Sequence, residues 1–441
     1  MNRSAQFLNY ITVTINTLFI LLLAASSNAM AQTIHTKDVA NFWEAYDRVH
    51  KADSYEAQLD VINTVYLNPG SDGLKQLCQI VNYIDSTFVR SMLSYPKFWN
   101  SLRVKTENLE RENLNIHDHV KTLKSLYPEL QPSNLYLCIG LGNAGGRPIG
   151  KDLVIGLELA LGDSSVNTSE FKSQDKKDFY KSAQSNGLEF VAIHEYIHTQ
   201  QKKQGSNYVL KQAIREGSCD FIAELVIKKP LTLNYIKYGY ANYKSSFDLL
   251  RKDLLNPNLD NWFYNYNVST IKDLGYFMGY VISKKYYENS QNKSQAIKDI
   301  IELDYADDEA VFSFLNKSNV FDEPLDYAKE LIKFKSYCPT IESVTSIGED
   351  KVIASTTKKI GIVFSKPMKN GTSIKFSEKG RAYFPLEKII GFSEDRKTLW
   401  LELNIQKDKA YEFVVTDRAF QSEDGYPLKE KEYLIQFAVK E

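Results

Sequence analysis

The sequence predicts a multidomain α+β protein, with a mainly helical region that carries a small β-sheet followed by an all-β sandwich. Three observations predict it. The chain has 441 residues, beyond the size of one ordinary domain. Apolar residues recur at three- and four-residue spacing through most of the chain before Pro339. Beyond that proline, short apolar runs alternate with Gly, Asp and Lys turns. The 43% hydrophobic fraction excludes a disordered chain. With 54 basic and 55 acidic residues the formal charge is -1, so composition implies no polyanion-binding surface and no nucleic-acid partner.

Residues 1–31 read as a signal peptide. Arg3 supplies a weak positive end, residues 11–25 are mostly apolar, and Ala29-Met30-Ala31 has the small-x-small form of a cleavage site. A periplasmic or secreted chain is expected, with no integral membrane segment once the signal is removed. The alternative is an uncleaved anchor, for which the apolar run is short. Cys78, Cys138, Cys219 and Cys338 form no CxxC pair, which argues against a thiolate metal cluster. A disulfide framework is unnecessary at this size.

The first folded domain is expected over 32–338. Phe42, Trp43, Tyr46 and Val49 have helical spacing, and helical patterns continue at 73–84, 88–95 and 107–126 until Pro128 and Pro132 end the run. Residues 135–139 and 153–159 are short apolar runs that read as strands on either side of the Gly140 to Gly150 loop. That loop lacks the Lys-Ser/Thr of a phosphate-binding loop, so a tight connection beside a cleft is the better reading. Asn186-Gly187 breaks the chain before the helix that holds His194, and Pro230 and Pro257 mark later boundaries. Many aromatic residues between Tyr235 and Tyr287 read mainly as packing between helices. The second domain, 339–441, has strand patterns at 359–364, 373–376, 398–403, 410–415 and 433–439.

The chemistry concentrates in His194-Glu195-Tyr196-Ile197-His198. On a helix, positions four apart share a face, so His194 and His198 can reach one Zn2+ ion while Glu195 approaches its water. Zinc then needs another protein ligand. Glu216, Asp220 and Glu224 recur every four residues and share a face, an arrangement that repels itself without a metal or histidine partner. Glu216 is the expected third ligand and Asp220 the acceptor for a histidine N–H, with Asp220 as the alternative ligand. Glu195 is the expected general base, and Tyr276 or Tyr280 is a candidate phenolic hydrogen-bond donor to the developing oxyanion. His35, His50, His117 and His119 are expected to be ordinary surface or structural residues.

These residues resemble those of zincin metallopeptidases of the glutamate-ligand class, in which HExxH precedes a helix bearing Glu and, four residues later, Asp. The matching positions are His194, Glu195, His198, Glu216 and Asp220. More closely, residues 38–334 resemble a poorly characterised bacterial family of zinc-dependent proteases related to gliding-motility lipoproteins, although no lipobox cysteine follows the apolar run. The resemblance implies a zincin-like fold and a peptide or protein substrate. It also implies a strand at 154–159 that offers an edge to an extended peptide. Ile360 to Met368 and Ser422 to Leu428 resemble a bacterial Ig-like domain, which implies either contact with a cell-envelope component or a spacer. The resulting expectation is zinc-dependent hydrolysis of peptide bonds, with a catalytically inactive zinc-binding or envelope-binding protein as the alternative.

Overall fold

The computed structural model describes residues 33–106, 109–142, 145–182, 187–203, 205–265 and 273–441. The expected signal peptide at 1–31, Glu107, Asn143, Ala144 and Asn186 lie outside them. The chain divides into two compact units. One contains Met1–Lys202, Ser218–Ile236 and Ser290–Leu303, and the other Lys203–Gly217, Lys237–Asn289 and Asp304–Glu441.

The first unit opens with a short strand, β1 (Ile34–His35), and helix α1 (Lys37–Val49). There follow α2 (Tyr55–Val61), a π-helical turn at Ile62–Leu67, α3 (Asp72–Val81), α4 (Asp85–Ser94), α5 (Pro96–Arg103) and α6 (Leu109–Leu126). Serines start two of these helices, because a side-chain oxygen at the cap accepts a backbone N–H that has no intrahelical partner. Ser54 accepts from Ala57 N and Ser71 from Leu74 N, each at 3.2 Å. Pro96 begins α5, where its missing N–H is harmless. The apolar stripe of α1 is buried, with Phe42 and Val49 fully enclosed. Burial of such side chains contributes about 1.5–3 kcal/mol each.

The sheet of this unit has the order β1-β2-β4-β3, with β2 at Leu135–Cys138, β3 at Arg147–Ile149 and β4 at Asp152–Gly156. β1, β2 and β4 are parallel, and β3 pairs antiparallel with β4. Two expectations are corrected here. The strand ends at Gly156, and Leu157–Ala160 forms a short helix, α7. β4 is also paired on both sides, so among the described residues the edge strands of this sheet are β1 and β3, and 154–159 offers no open edge. A continuous apolar run does not distinguish a buried strand from a buried helical turn, and nothing in it reveals a third strand folding back from the glycine loop. Helices α8 (Gln174–Ser182) and α9 (Leu188–His198) follow, and β3 lies against α9.

Helix α10 (Val209–Ile227) begins in the second unit and ends in the first, the division falling between Gly217 and Ser218. α11 (Asn234–Ala241) spans the next division, and α12 (Tyr243–Asp253) and α13 (Leu274–Asn289) belong to the second unit. α14 (Lys293–Ile301) returns to the first unit, where Lys298 reaches Glu129 at 2.6 Å. α15 (Asp308–Ser318) and α16 (Tyr327–Tyr337) precede the strands. Within the second unit, Gly279 lets α13 press on α10, because a Cβ there would stand 1.6 Å from Ala213 O.

Beyond Pro339, two four-stranded sheets have the orders β5-β7-β10-β9 and β6-β12-β11-β8. The strands are β5 (Ile341–Val344), β6 (Val352–Ala354), β7 (Lys359–Phe364), β8 (Ile374–Phe376), β9 (Leu386–Phe392), β10 (Thr398–Leu403), β11 (Ala410–Thr416) and β12 (Glu432–Lys440). Alternate residues of both sheets, among them Ile362, Leu401, Phe413 and Phe437, form one hydrophobic cluster. β5, β6 and β9 had no clear sequence signal, since they are short or expose most of their side chains. Polar contacts join the strand region to helical parts of the same unit. Tyr426 donates to Asp253 at 3.2 Å, and Asn258 Nδ2 donates to Gln421 Oε1 at 3.1 Å. The architecture is a mixed one of helices and small sheets. No helix among the described residues is long and apolar enough to cross a membrane.

Candidate functional site

Helix α9 starts at Gly187, whose φ of +90° suits a residue without a Cβ. Its first turn carries Glu189, held by His119 Nε2 at 2.9 Å and by Asn115 Nδ2 at 2.5 Å. Near its far end, Tyr196 donates to Gln131 O and accepts from Ser133 N, which fixes the helix to the segment before β2. His194 and His198, one turn apart and 8% and 9% exposed, are therefore presented by a firmly held helix.

Their ring nitrogens are arranged in a consistent way. His194 Nδ1 lies 2.8 Å from Asp220 Oδ1, and Asp220 Oδ2 accepts from Tyr235 OH at 2.7 Å. His198 Nδ1 lies 2.7 Å from Gln201 Oε1, and Gln201 Nε2 donates to Ser218 Oγ at 3.0 Å. A carboxylate and an amide oxygen only accept, so each histidine carries its proton on Nδ1. The two Nε2 atoms face one another across 3.2 Å. Two imidazole nitrogens facing each other at this distance suit a shared proton or a bound cation.

Cys219 is buried, and its Sγ stands 3.5 Å from His198 Nδ1. His194, His198 and Cys219 offer ligand atoms within 4.8 Å of one another. Glu195 follows His194 on α9 and lies against the glycine loop. A Cβ on Gly146 would stand 2.1 Å from Glu195 Cγ, so only glycine permits this approach. Glu224, at the end of the acidic face of α10, accepts from Leu231 N at 2.8 Å and so shapes the turn after the helix.

The remaining candidate residues belong to the second unit. Glu216 accepts from Gln212 Nε2 at 2.9 Å. The Tyr276 phenol is held well above its ordinary pKa, first by desolvation and then by the nearby Glu216 carboxylate. Tyr280 is buried, and its hydroxyl accepts from Lys284 Nζ at 2.9 Å. His35 and His50 have partners of their own. His35 stacks on Tyr136 with centroids 4.5 Å apart, and His50 Nδ1 donates to Tyr46 O at 2.8 Å. No disulfide joins the four cysteines.

Sequence reasoning missed Gln201, Ser218, Tyr235, Gly146 and Glu158. Gln201 sits three residues after His198, a spacing that brings side chains together on a helix and was the one local signal available. Ser218 and Tyr235 reach the site only because α10 and the chain after it fold back on α9.

No family model matches the chain, and no curated protein matches it. Among solved structures it is aligned with the S-layer protein rSbsC(31-844) at a TM-score of 0.18 and 10% identity, over 91% of this chain and 45% of that one. It is also aligned with domains 1-6 of surface layer protein SbsC, at 0.17 and 11%, over 91% and 45%. For the N-terminal part of the bacterial S-layer protein SbsC, the figures are 0.16, 12%, 91% and 79%. The chain spans less than half the length of the first two. At these scores the alignments carry no fold or function.

Proposed function

We propose that this protein is a zinc-dependent peptidase of zincin-like fold, secreted or periplasmic, with an Ig-like sandwich as its accessory module. The observation that carries the reading is the facing Nε2 pair at 3.2 Å, with each outer Nδ1 held by an acceptor. A tetrahedral zinc with Zn–N bonds of about 2.0–2.1 Å needs its nitrogens about 3.3 Å apart, so the donor pair fits. When bound, zinc supplies Lewis-acid activation of water and of a carbonyl.

The chain's own residues do the rest. Asp220 and Gln201 each hold an Nδ1–H, which directs both Nε2 atoms toward the proposed metal position. Glu216 is the proposed third ligand, carried on α10 one turn before Asp220. Glu195 takes the proton of the attacking water on its carboxylate and returns it to the leaving amine. Tyr276, beside Glu216 and hydrogen-bonded to Tyr264, and Tyr280, whose hydroxyl accepts from Lys284, remain the two proposed donors to the developing oxyanion. The open edge strand β3, next to the helix that bears Glu195, is suited to pair with an extended peptide substrate. Cell-envelope material is the proposed partner of the sandwich.

The position of Cys219 favours a second reading, in which its thiolate completes the ligand set in place of Glu216. Zinc content of purified Glu216→Ala and Cys219→Ala, measured after identical dialysis, separates the two. About one zinc per wild-type chain with loss only in Glu216→Ala supports the first reading, and loss only in Cys219→Ala supports the second. No zinc in folded wild-type protein after reconstitution overturns both. Cleavage of a peptide library by wild type and not by Glu195→Gln then tests the peptidase activity itself.

A further inference from the structure

Glu158 is a carboxylate that this mechanism does not use. It lies on the short helix α7 and is 1% exposed. Its Oε1 accepts from Gly140 N at 3.0 Å and from Gly142 N at 2.6 Å, and its Oε2 from Gly140 N at 3.1 Å. No described residue forms an ion pair with it. The backbone of α7 is itself held, since Tyr180 donates to Glu158 O at 3.2 Å. The next residue, Leu159, stands 3.6 Å from where a Cβ of Gly145 would lie. Gly146 then backs Glu195.

We propose that Glu158 is a positioning residue, which staples Gly140 and Gly142 to α7 and, through Leu159 against Gly145, sets where Gly146 holds Glu195. A buried acceptor without a cation is an expensive way to bind two amides, so its retention calls for a role that neutral packing does not fill. Desolvation raises the carboxyl to a pKa of about 7, against the lowering effect of the glycine N–H groups. The titratable groups that face it are Tyr83, Cys138 and Tyr180, all themselves raised and neutral in this range. Its charge therefore changes near neutral pH with no neighbour changing alongside. The ionised carboxylate accepts more strongly, so the staple tightens as pH rises. This regulation of Glu195 rests on the peptidase reading, whereas the staple itself does not.

The experiment is an amide titration of the full chain labelled with 15N-glycine, from pH 5.5 to 8.5, in wild type and Glu158→Gln. The expected result is movement of Gly140, Gly142 and Gly146 with one midpoint near neutral pH, absent in Glu158→Gln. If that variant does not fold, the shared wild-type midpoint decides. A stationary Gly146, or the same movement in Glu158→Gln, overturns the proposal. Where the wild type cleaves peptide, its kcat should carry a limb with the same midpoint, and Glu158→Ala should lose about 10- to 100-fold in kcat at constant KM. An unchanged rate and pH profile in the variants also overturns the proposal. A wild type that cleaves nothing sinks the peptidase reading alone, and the amide titration still decides the staple.

Discussion

At the scale of single residues, the outer partners of the histidines decide what the inner nitrogens can do. An imidazole has one proton to place when neutral, and Asp220 and Gln201 each draw it to Nδ1. Removal of Asp220 leaves His194 free to take the other tautomer and to rotate. Asp220→Ala is expected to weaken zinc binding about 10- to 100-fold, read by competition with a coloured chelator. Gln201→Leu should act in the same direction through His198, while circular dichroism stays unchanged. Equal affinity in both variants would show that the outer bonds do not orient the ligands. The acidic face that contains Asp220 was legible as a four-residue repeat. Gln201 was not, because its amide matters only once Ser218 arrives to orient it.

At the scale of elements, close backbone approach governs two places. The glycine loop reaches Glu195 through Gly146, and α13 reaches α10 through Gly279. Gly146→Ala is expected to displace Glu195 and reduce peptide cleavage by at least about tenfold, with zinc content unchanged. Gly279→Ala sets a methyl against a backbone carbonyl, which cannot rotate away as a side chain would. It should lower unfolding free energy by about 3 kcal/mol, measured by urea denaturation. A cost below half a kcal/mol would mean that the helices can separate without loss. The periodicity of α1 and α9 could be read directly from their apolar spacing. The end of β4 at Gly156 could not, since a run of apolar residues satisfies a buried strand and a buried helical turn equally.

At the scale of the whole molecule, the buried charge on Glu158 gives the stability a pH dependence of known sign. The folded carboxyl titrates near 7 and the unfolded one near 4.5. Between these values the folded state holds the extra proton, so this group's contribution makes stability fall as pH rises from about 4.5 to about 7 and remain level above that. The difference corresponds to about 3 kcal/mol. Urea titrations at intervals across this range, compared with Glu158→Gln, should show the decline in wild type and its absence in the variant. A decline of the same size in both would assign it to other groups.

What the sequence determined by itself were the properties that depend on near neighbours in the chain. The four-residue spacing puts His194 and His198 on one helix face with Glu195 beside them, and the acidic repeat puts Glu216 and Asp220 on another. The change from helical to strand texture near Pro339 follows equally from local pattern. Only the tertiary structure decided that β3 pairs outside β4 and becomes an edge of the first sheet, that Gln201 and Asp220 hold opposite histidines, and that Glu158 binds the glycine loop. The physical reason is that hydrogen bonds and steric contacts between distant segments depend on where the chain returns, and local spacing carries no record of that path.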